Sequence, residues 1–210
     1  ELVVTYQVGG KEKTVVLNEN KKGSFPPSET TEEPVAYLKR DFAVSGKVER
    51  ARLYVTARGV FEVRLNGAKV GDDHFANGWT SYKHRLDTLT YDVTDTLQSG
   101  GNELQVLLGT GWYAGNIGFR GQKQFYGAHP ELLLQLEITY KGGRTGTVVS
   151  DGDWQGTFNG AIRSSSIYNG EEYDARKQAS GWAKVVVNPE LGSSELVPKP
   201  FAPVRATEEL

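Results

Sequence analysis

The chain has no cysteine, which excludes disulfides, thiolate metal sites and a cysteine nucleophile. It also has no excess of one charge, since 24 Lys and Arg stand against 26 Asp and Glu, scattered along the sequence. Binding to nucleic acid or to an anionic membrane needs a basic face, so neither partner is expected. No apolar run approaches the length of a membrane span, and no signal-peptide core is present.

Motifs of common catalytic sites are missing as well. There is no nucleophile elbow and no HExxH helix. The three histidines, His74, His84 and His129, are far apart in sequence, and we interpret them as surface or packing residues. The loop over residues 109–118 is rich in glycine. It has no Gly-Lys-Ser/Thr ending and no helical pattern after it, so a phosphate-binding loop is excluded.

The clearest structural signal runs from Ala51 to Gly71. Two stretches alternate apolar and polar residues, as half-buried strands do. One face is expected to carry Leu53, Val55, Ala57, Phe61, Val63 and Leu65, and the other Arg52, Tyr54, Thr56, Glu62 and Arg64. The pattern predicts an antiparallel sheet with one apolar face that a second layer must cover.

Asn66-Gly67 is the strongest hairpin signal in the chain, because both residues tolerate positive φ. A two-residue turn there places Leu65 opposite Ala68 and Arg64 opposite Lys69. Apolar residues then face each other on one side and charged residues on the other, so the register is well specified.

Further strands are predicted along the chain, with almost no helix. They cover residues 37–44, 103–108, 131–140 and 183–187, and a short edge segment begins at Asp153-Trp154. Frequent glycine and closely spaced turn signals favour an all-β fold, an antiparallel two-sheet sandwich of jelly-roll-like form.

Composition divides the chain into four parts. Residues 1–17 form an N-terminal hairpin segment, and the polar, proline-bearing residues 18–36 a linker or long loop. Residues 37–190 form the sandwich domain, and the Pro-rich residues 191–210 an extended connector to a downstream domain. A start at Glu1 fits a mature protein or an excised fragment.

Aromatic loops suggest a sugar platform. Apolar faces of a sugar ring stack on Trp or Tyr, while Asn and Glu side chains hold its hydroxyl groups. Two stretches supply this mixture: Trp112, Tyr113 and Asn116, and Tyr168, Asn169, Glu171 and Tyr173. The alternative is that the tryptophans fill the core.

A set of motifs resembles a known family when read in order. They are Leu53-Tyr54-Val55-Thr56-Ala57, Leu65-Asn66-Gly67, Gly78-Trp79-Thr80, Thr90-Tyr91-Asp92-Val93-Thr94, Gly111-Trp112-Tyr113 and Gly170-Glu171-x-Tyr173-Asp174-Ala175-Arg176. Together they resemble the N-terminal β-sandwich region of bacterial α-L-rhamnosidases, glycoside hydrolase family 78.

The resemblance implies an accessory domain without catalytic residues of its own. In that family the catalytic acids lie in a separate (α/α)-barrel, and hydrolysis inverts the sugar's anomeric configuration. The implied parent is a bacterial enzyme, periplasmic or extracellular, that degrades plant rhamnosides and in which this domain contacts the catalytic domain. The alternative is a free-standing carbohydrate-binding module for L-rhamnose.

Some relatives bind rhamnose through a calcium ion that bridges protein and sugar. In those members an Asp-Asn pair follows a Tyr-Gly step, whereas here Tyr126-Gly127 is followed by Ala128-His129. By resemblance, Tyr126 and His129 join the candidate ligand-binding residues, and Asn169 is the candidate calcium ligand.

Overall fold

Strands dominate the computed structural model, which describes residues 2–8, 11–17, 34–117, 122–189 and 192–208. The helical pieces within these ranges are a 3-10 turn at Thr94–Thr96 and a helix at Gly111–Ala114, and neither is long enough to cross a membrane. The strands are β1 (Leu2–Val8), β2 (Lys11–Leu17), β3 (Ala36–Val44), β4 (Val48–Arg58), β5 (Val60–Leu65), β6 (Ala68–Lys69), β7 (Arg85–Asp92), β8 (Gly100–Gly109), β9 (Glu131–Tyr140), β10 (Thr145–Val149), β11 (Gln155–Thr157), β12 (Ile162–Ser166), β13 (Gly170–Tyr173), β14 (Ala183–Lys184) and β15 (Glu195–Pro198).

Two main sheets form a sandwich. One has the order β10-β9-β4-β7-β15 and the other β14-β11-β3-β8-β5-β6, while β1-β2 and β12-β13 are separate hairpins. Neighbouring strands are antiparallel except β15, which runs parallel to β7. The predicted all-β antiparallel sandwich is confirmed, and β15 is an addition that the sequence pattern did not indicate.

Alternate residues of the central strands build the core. The buried set comprises Leu53, Val55 and Ala57 on β4, Phe61, Val63 and Leu65 on β5, Leu104, Val106 and Leu108 on β8, and Leu134, Leu136 and Ile138 on β9. Each strand therefore buries one face and exposes the other, as the period-2 pattern predicts.

The Asn66-Gly67 turn is confirmed in position and register. Both residues have positive φ, 53° and 82°, and Leu65 pairs with Ala68. The Asn66 side chain also donates to Asn102 Oδ1 (2.9 Å) and accepts from the backbone N–H of Glu103 (3.0 Å). This asparagine thus ties the hairpin to β8 in addition to forming the turn.

The two alternating runs lie in different sheets, and not in the single sheet expected for residues 51–71. Gly59 joins β4 to β5 with φ +141°, and a Cβ at Gly59 would overlap the carbonyl oxygen of Gly109. Glycine therefore permits the chain to cross between the layers at this point. As a result, β5 supplies part of the second layer that covers β4.

Thr56 is buried, against the prediction that it lies on the exposed face of β4. Its side chain is 1% exposed, and its hydroxyl donates to the carbonyl oxygen of Asp87 (2.8 Å). The amide of Asn77 lies 3.4 Å from the same hydroxyl and donates to it. The loop that carries Asn77 covers this end of β4, so the polar residue is buried but satisfied.

Several shorter expectations are resolved by strand pairing. Glu131–Tyr140 is confirmed as β9, between β10 and β4. The strand predicted for residues 183–187 is wrong beyond Lys184. The segment after Trp154 is not an edge, since β11 lies between β14 and β3. Trp154 itself is 2% exposed, and its Nε1–H donates to the carbonyl oxygen of Val149.

The two terminal segments of the chain make different contacts. Antiparallel pairing of β1 with β2 confirms the predicted N-terminal hairpin, whereas residues 18–33 of the predicted linker lie outside the described residues. Residues 195–208 follow the sandwich closely. The backbone N–H of His74 donates to the carbonyl oxygen of Val204 (2.8 Å), and Arg205 Nε donates to Asp72 (2.8 Å).

A matched pair of substitutions on β9 tests the core assignment. Leu136 is fully buried, so Leu136→Ala leaves a cavity and is expected to lower the free energy of unfolding by about 2–5 kcal/mol. Its exposed neighbour Gln135 is the control, and Gln135→Ala is expected to change it by less than about 0.5 kcal/mol. Urea unfolding measures both. Similar losses in the two variants would contradict the assigned inner face.

Candidate functional site

One end of the sandwich gathers loops that are distant in sequence. Register pairs Arg58 at the end of β4 with Glu131 at the start of β9, and Val60 at the start of β5 with Gly109 at the end of β8. The loop over residues 110–130 therefore begins and ends at this edge. The loop after β6 returns to it, because Phe61 N–H donates to the carbonyl oxygen of Ala76 (2.7 Å).

The first part of the 110–130 loop is a compact turn. Gly111 has φ +50°, and a Cβ there would lie 2.8 Å from Cγ1 of Val60, so the helix Gly111–Ala114 starts in close contact with β5. The returning chain is held by hydrogen bonds from Gln124 N–H to the carbonyl oxygen of Ala114 (3.1 Å) and from Tyr126 N–H to that of Tyr113 (3.3 Å). Trp112 and Tyr113 are thereby placed at the end of the sandwich.

Seven aromatic side chains from the two loops form what we term the aromatic cluster. Its members are Phe75, Trp79, Tyr82, Trp112, Tyr113, Phe125 and Tyr126. The Trp79 and Trp112 rings are parallel within 5°, with centroids 6.3 Å apart. The Tyr82 ring lies 5.2 Å from that of Tyr113 and 5.0 Å from that of Tyr126, in edge-on or tilted geometry. These arrangements are those that aromatic quadrupoles favour.

The aromatic cluster has an inner and an outer layer. Tyr82 is 2% exposed, whereas Trp79 is 52%, Phe75 54% and Phe125 63% exposed. Exposed aromatic side chains gathered on one surface mark sites of ligand or protein contact more often than isolated ones do. The outer layer is thus the part available for binding, and the inner layer holds it in place.

Hydrogen bonds fix the polar atoms of the aromatic cluster. Trp79 Nε1–H donates to the Tyr126 hydroxyl (3.2 Å), and the Tyr82 hydroxyl donates to the carbonyl oxygen of Gly78 (3.2 Å). Burial raises the pKa of Tyr82 well above its usual range, and the nearby Tyr126 and Asp87 act in the same direction. Tyr82 therefore stays neutral at physiological pH.

A polar group flanks the aromatic cluster on the β4–β9 side. Arg58 Nη1 donates to Glu131 Oε2 (2.6 Å), and Asn188 Nδ2 donates to Glu131 Oε1 (2.7 Å). Burial raises the pKa of Tyr113, opposed by the positive charge of Arg58. Partial burial lowers the pKa of His129, opposed by the Glu131 carboxylate. Charged hydrogen-bonding groups thus lie beside flat apolar rings.

The structure gathers part of the sequence-predicted site. Trp112, Tyr113 and Tyr126 are in the aromatic cluster, and His129 follows it on the same loop. Asn116 is 8% exposed, so its side chain lies beneath the surface. Of the tryptophans weighed between core and platform, Trp154 is core, while Trp112 is half-buried.

The remaining predicted residues lie on the β12–β13 hairpin. Glu171 and Tyr173 are on β13, and Asn169 is in the turn before it, where its N–H donates to Ser166 Oγ (3.2 Å). All three side chains are exposed, as is that of Tyr168 in the same turn. The base of the hairpin is held by a hydrogen bond from Ile162 N–H to the Tyr37 hydroxyl (2.7 Å).

Asn169 is not part of a cluster of carboxylates in the described residues. Calcium binds six to eight oxygens, usually with several carboxylates. Within the described ranges, no group of three or more His, Cys, Asp or Glu side chains is placed to hold a metal ion. The same finding applies to Asp72-Asp73-His74, where Asp73 accepts a hydrogen bond from the Tyr91 hydroxyl (2.6 Å).

Sequence reasoning did not identify Phe75, Trp79, Tyr82 and Phe125 as members of the aromatic cluster. They lie in loops without periodicity, and their partners are up to about fifty positions away along the chain. The usable signal was the density of aromatic residues in both loops between the predicted strands. Pattern analysis has no means of pairing such loops before the sheet order is known.

Comparison with known proteins identifies the same family as the sequence motifs do. A family model described as the α-L-rhamnosidase N-terminal domain matches residues 46–208. An α-L-rhamnosidase of Formosa agariphila is 44% identical over 146 residues, covering 70% of this chain and 16% of that protein. One from Alteromonas sp. strain LOR is 37% identical over 200 residues, covering 90% of this chain and 22% of that protein.

A solved structure shares the fold over nearly the whole chain. It is the Streptomyces avermitilis α-L-rhamnosidase complexed with L-rhamnose, with a TM-score of 0.80 and 30% identity. The match covers 98% of this chain and 24% of that one. The chain therefore spans less than a quarter of the length of each of these three relatives.

Substitution of Gly127 tests how the aromatic cluster is packed. A Cβ at Gly127 would overlap the Tyr113 phenol ring, so Gly127→Ala is expected to displace Tyr113 and lower the free energy of unfolding by about 1–3 kcal/mol. The near-ultraviolet circular dichroism of the aromatic residues should change with it. Gly101, which has open space around its Cα, is the control, and Gly101→Ala should leave the spectrum unchanged. An unchanged Gly127→Ala spectrum would contradict the packing.

The buried Tyr82 predicts a pH dependence of stability. Because its pKa is raised above the ordinary value of 10.0, the folded state retains a proton that the unfolded state releases, and stability falls as pH rises above 10. Tyr82→Phe should reduce this fall by up to about 1.4 kcal/mol per pH unit. Urea unfolding between pH 9 and about 11.5 measures the slope. Tyr168→Phe, on the exposed β12–β13 turn, is the control, and equal slopes in all three proteins would contradict the role of Tyr82.

Proposed function

Since the chain belongs to the α-L-rhamnosidase N-terminal domain family, we propose that it is a non-catalytic accessory domain of an α-L-rhamnosidase acting on plant rhamnosides. The observation that carries the proposal is the extent of the match. The chain is covered almost completely by enzymes of which it forms less than a quarter. Such a share leaves room for a catalytic domain elsewhere in the parent polypeptide.

In this proposal the parent removes terminal α-L-rhamnose with inversion. One carboxylic acid protonates the leaving oxygen and a carboxylate activates water, with the pair about 6.5–9.5 Å apart. Both groups belong to the catalytic domain, and Glu171 is not one of them. The parent is bacterial, with a jelly-roll-like accessory sandwich, and acts in the periplasm or outside the cell, where plant glycans are met.

The outer layer of the aromatic cluster is the contact surface for the rest of the enzyme in this proposal. Phe75, Trp79 and Phe125 are each more than half exposed. Neighbouring aromatic residues with this exposure are unusual on a surface that contacts only solvent. Contacts with Trp112 and Tyr126 hold these outer rings in place, and the Arg58–Glu131 ion pair lies beside the aromatic cluster. A rigid apolar surface with a charged border is the composition of a stable interdomain contact.

Hydrolysis of p-nitrophenyl α-L-rhamnopyranoside tests the accessory role. We expect no release of p-nitrophenol by this chain alone and release by the full parent polypeptide. In the parent, Trp79→Ala with Phe125→Ala should lower the melting temperature by several degrees, because the interdomain contact is lost. The same pair in the isolated chain should have a smaller effect. Release of p-nitrophenol by the pure chain, at a rate independent of preparation, would overturn the proposal.

The second candidate is a carbohydrate-binding module for L-rhamnose. The observation that favours it is the parallel pair Trp79 and Trp112, with the Tyr126 hydroxyl 3.2 Å from Trp79 Nε1. Flat rings beside fixed polar groups suit a sugar ring with one apolar face. Calcium bridged through Asn169 belongs to this candidate.

Calorimetric titration of this chain with L-rhamnose separates the two candidates. A module predicts saturable heat at millimolar sugar that Trp79→Ala abolishes and Tyr54→Ala, on the outer face of β4, leaves intact. Loss of the heat on adding a chelator would assign a role to calcium. A titration without heat, in the presence and absence of calcium, would leave the aromatic cluster as an interdomain surface only.

A further inference from the structure

The outer face of the six-stranded sheet carries a groove that the proposed function has not used. Strand register places Tyr37, Leu107 and Glu62 in one row across β3, β8 and β5, and Lys39, Gln105 and Arg64 in the next. Their neighbours along each strand point into the core, so these side chains point outward. Six side chains from three adjacent strands therefore form a continuous patterned surface.

The side chain of Trp182 lines one side of this surface. The chain preceding it is anchored to the end of β11, because Thr157 Oγ1 donates to the carbonyl oxygen of Ser180 (2.7 Å) and Ser180 N–H donates to that of Asn159 (3.2 Å). Lys39 Nζ lies 4.5 Å from the centroid of the Trp182 ring. This cation–π contact holds the half-buried indole in a defined position on the sheet.

The resulting groove combines apolar and polar surface. Its volume is about 230 Å³, and the side chains of Tyr37, Leu107 and Trp182 supply the apolar part. Pockets for drug-sized ligands measure about 300–1,000 Å³, so this groove suits a smaller ligand such as a single sugar ring.

Hydrogen-bonding groups line the side opposite Trp182. Arg64 Nη2 and Glu62 Oε1 are paired at 2.8 Å, at the surface of the groove. Gln105 donates through Nε2 to Glu103 Oε1 (2.6 Å), which leaves its amide oxygen to accept from a ligand hydroxyl. Amide and guanidinium groups fixed in this way hold hydroxyls in one orientation.

We propose that this groove, lined by Trp182, Leu107, Gln105, Arg64 and Glu62, binds one L-rhamnopyranosyl residue of a glycan. The ring's CH face and its C5 methyl group lie against Trp182 and Leu107. Hydroxyl groups exchange hydrogen bonds with Gln105 and the Arg64–Glu62 pair. The choice of rhamnose among sugars rests on the proposed function, whereas the choice of a small ring with one apolar side rests on the groove.

Indole signals in a ¹H–¹⁵N spectrum test the proposal on the intact chain. There are four tryptophans, so four indole N–H signals are expected, and Trp79→Phe, Trp112→Phe and Trp182→Phe assign all of them by loss and elimination. Methyl α-L-rhamnopyranoside is the probe. The proposal predicts a saturable shift of the Trp182 signal at millimolar sugar, while buried Trp154 serves as the internal reference.

Two comparisons sharpen the test. Methyl α-L-mannopyranoside differs from the probe only by a hydroxyl on C6, which would meet the apolar part of the groove, so it should bind several-fold more weakly. Gln105→Leu keeps the Trp182 reporter and should weaken binding about fivefold, by loss of one hydrogen-bond partner. Equal affinity for both sugars, or an unchanged affinity in Gln105→Leu, would overturn the assignment.

The four signals also separate this inference from the proposed function. Shifts confined to Trp79 and Trp112 would overturn the groove and favour a sugar site at the aromatic cluster. An unchanged spectrum at saturating sugar concentrations would overturn the groove and leave the accessory role standing. A Trp182 shift together with p-nitrophenol release by the chain alone would retain the groove and overturn the accessory role.

Discussion

Each of the two sheets has one apolar face, and the sandwich forms because each sheet buries the apolar face of the other. The two layers are closest in sequence at the step from β4 to β5, where Ala57 and Phe61 are both buried although they belong to opposite layers. Gly59 makes the crossing between them possible. The two layers are thereby held together at one end, where β4 and β8 end and β5 and β9 begin.

At that end of the sandwich, contacts between the loops hold the exposed aromatic side chains in place. The aromatic cluster rests on Tyr82, which is almost fully buried, and on backbone hydrogen bonds that return residues 124–126 onto the short helix. Trp79 and Phe125 are exposed yet held by rings and hydrogen bonds beneath them. A surface of this kind loses little conformational entropy on binding, which favours recognition of either a protein domain or a sugar.

Sequence patterns predicted the parts of the fold that depend on local information. The alternation in β4, β5, β8 and β9 identified the core, and Asn66-Gly67 identified a turn together with its register. Thr56 was misassigned because a loop distant in sequence covers it, and β15 was missed because its pairing with β7 is parallel and nonlocal. Three of the predicted site residues, Trp112, Tyr113 and Tyr126, lie in the aromatic cluster. Its other members became recognisable only when strand order brought two loops together.

We propose that the outer layer of the aromatic cluster is a contact surface within a larger enzyme. Solvent labelling of Trp79, by oxidative footprinting read out by mass spectrometry, tests it in the isolated chain and in the full parent polypeptide. Because Trp79 is about half exposed in the chain alone, we expect strong labelling there and strong protection in the parent. Trp182, on the outer face of the six-stranded sheet, provides a comparison within each sample. Equal labelling of Trp79 in both proteins would contradict the claim.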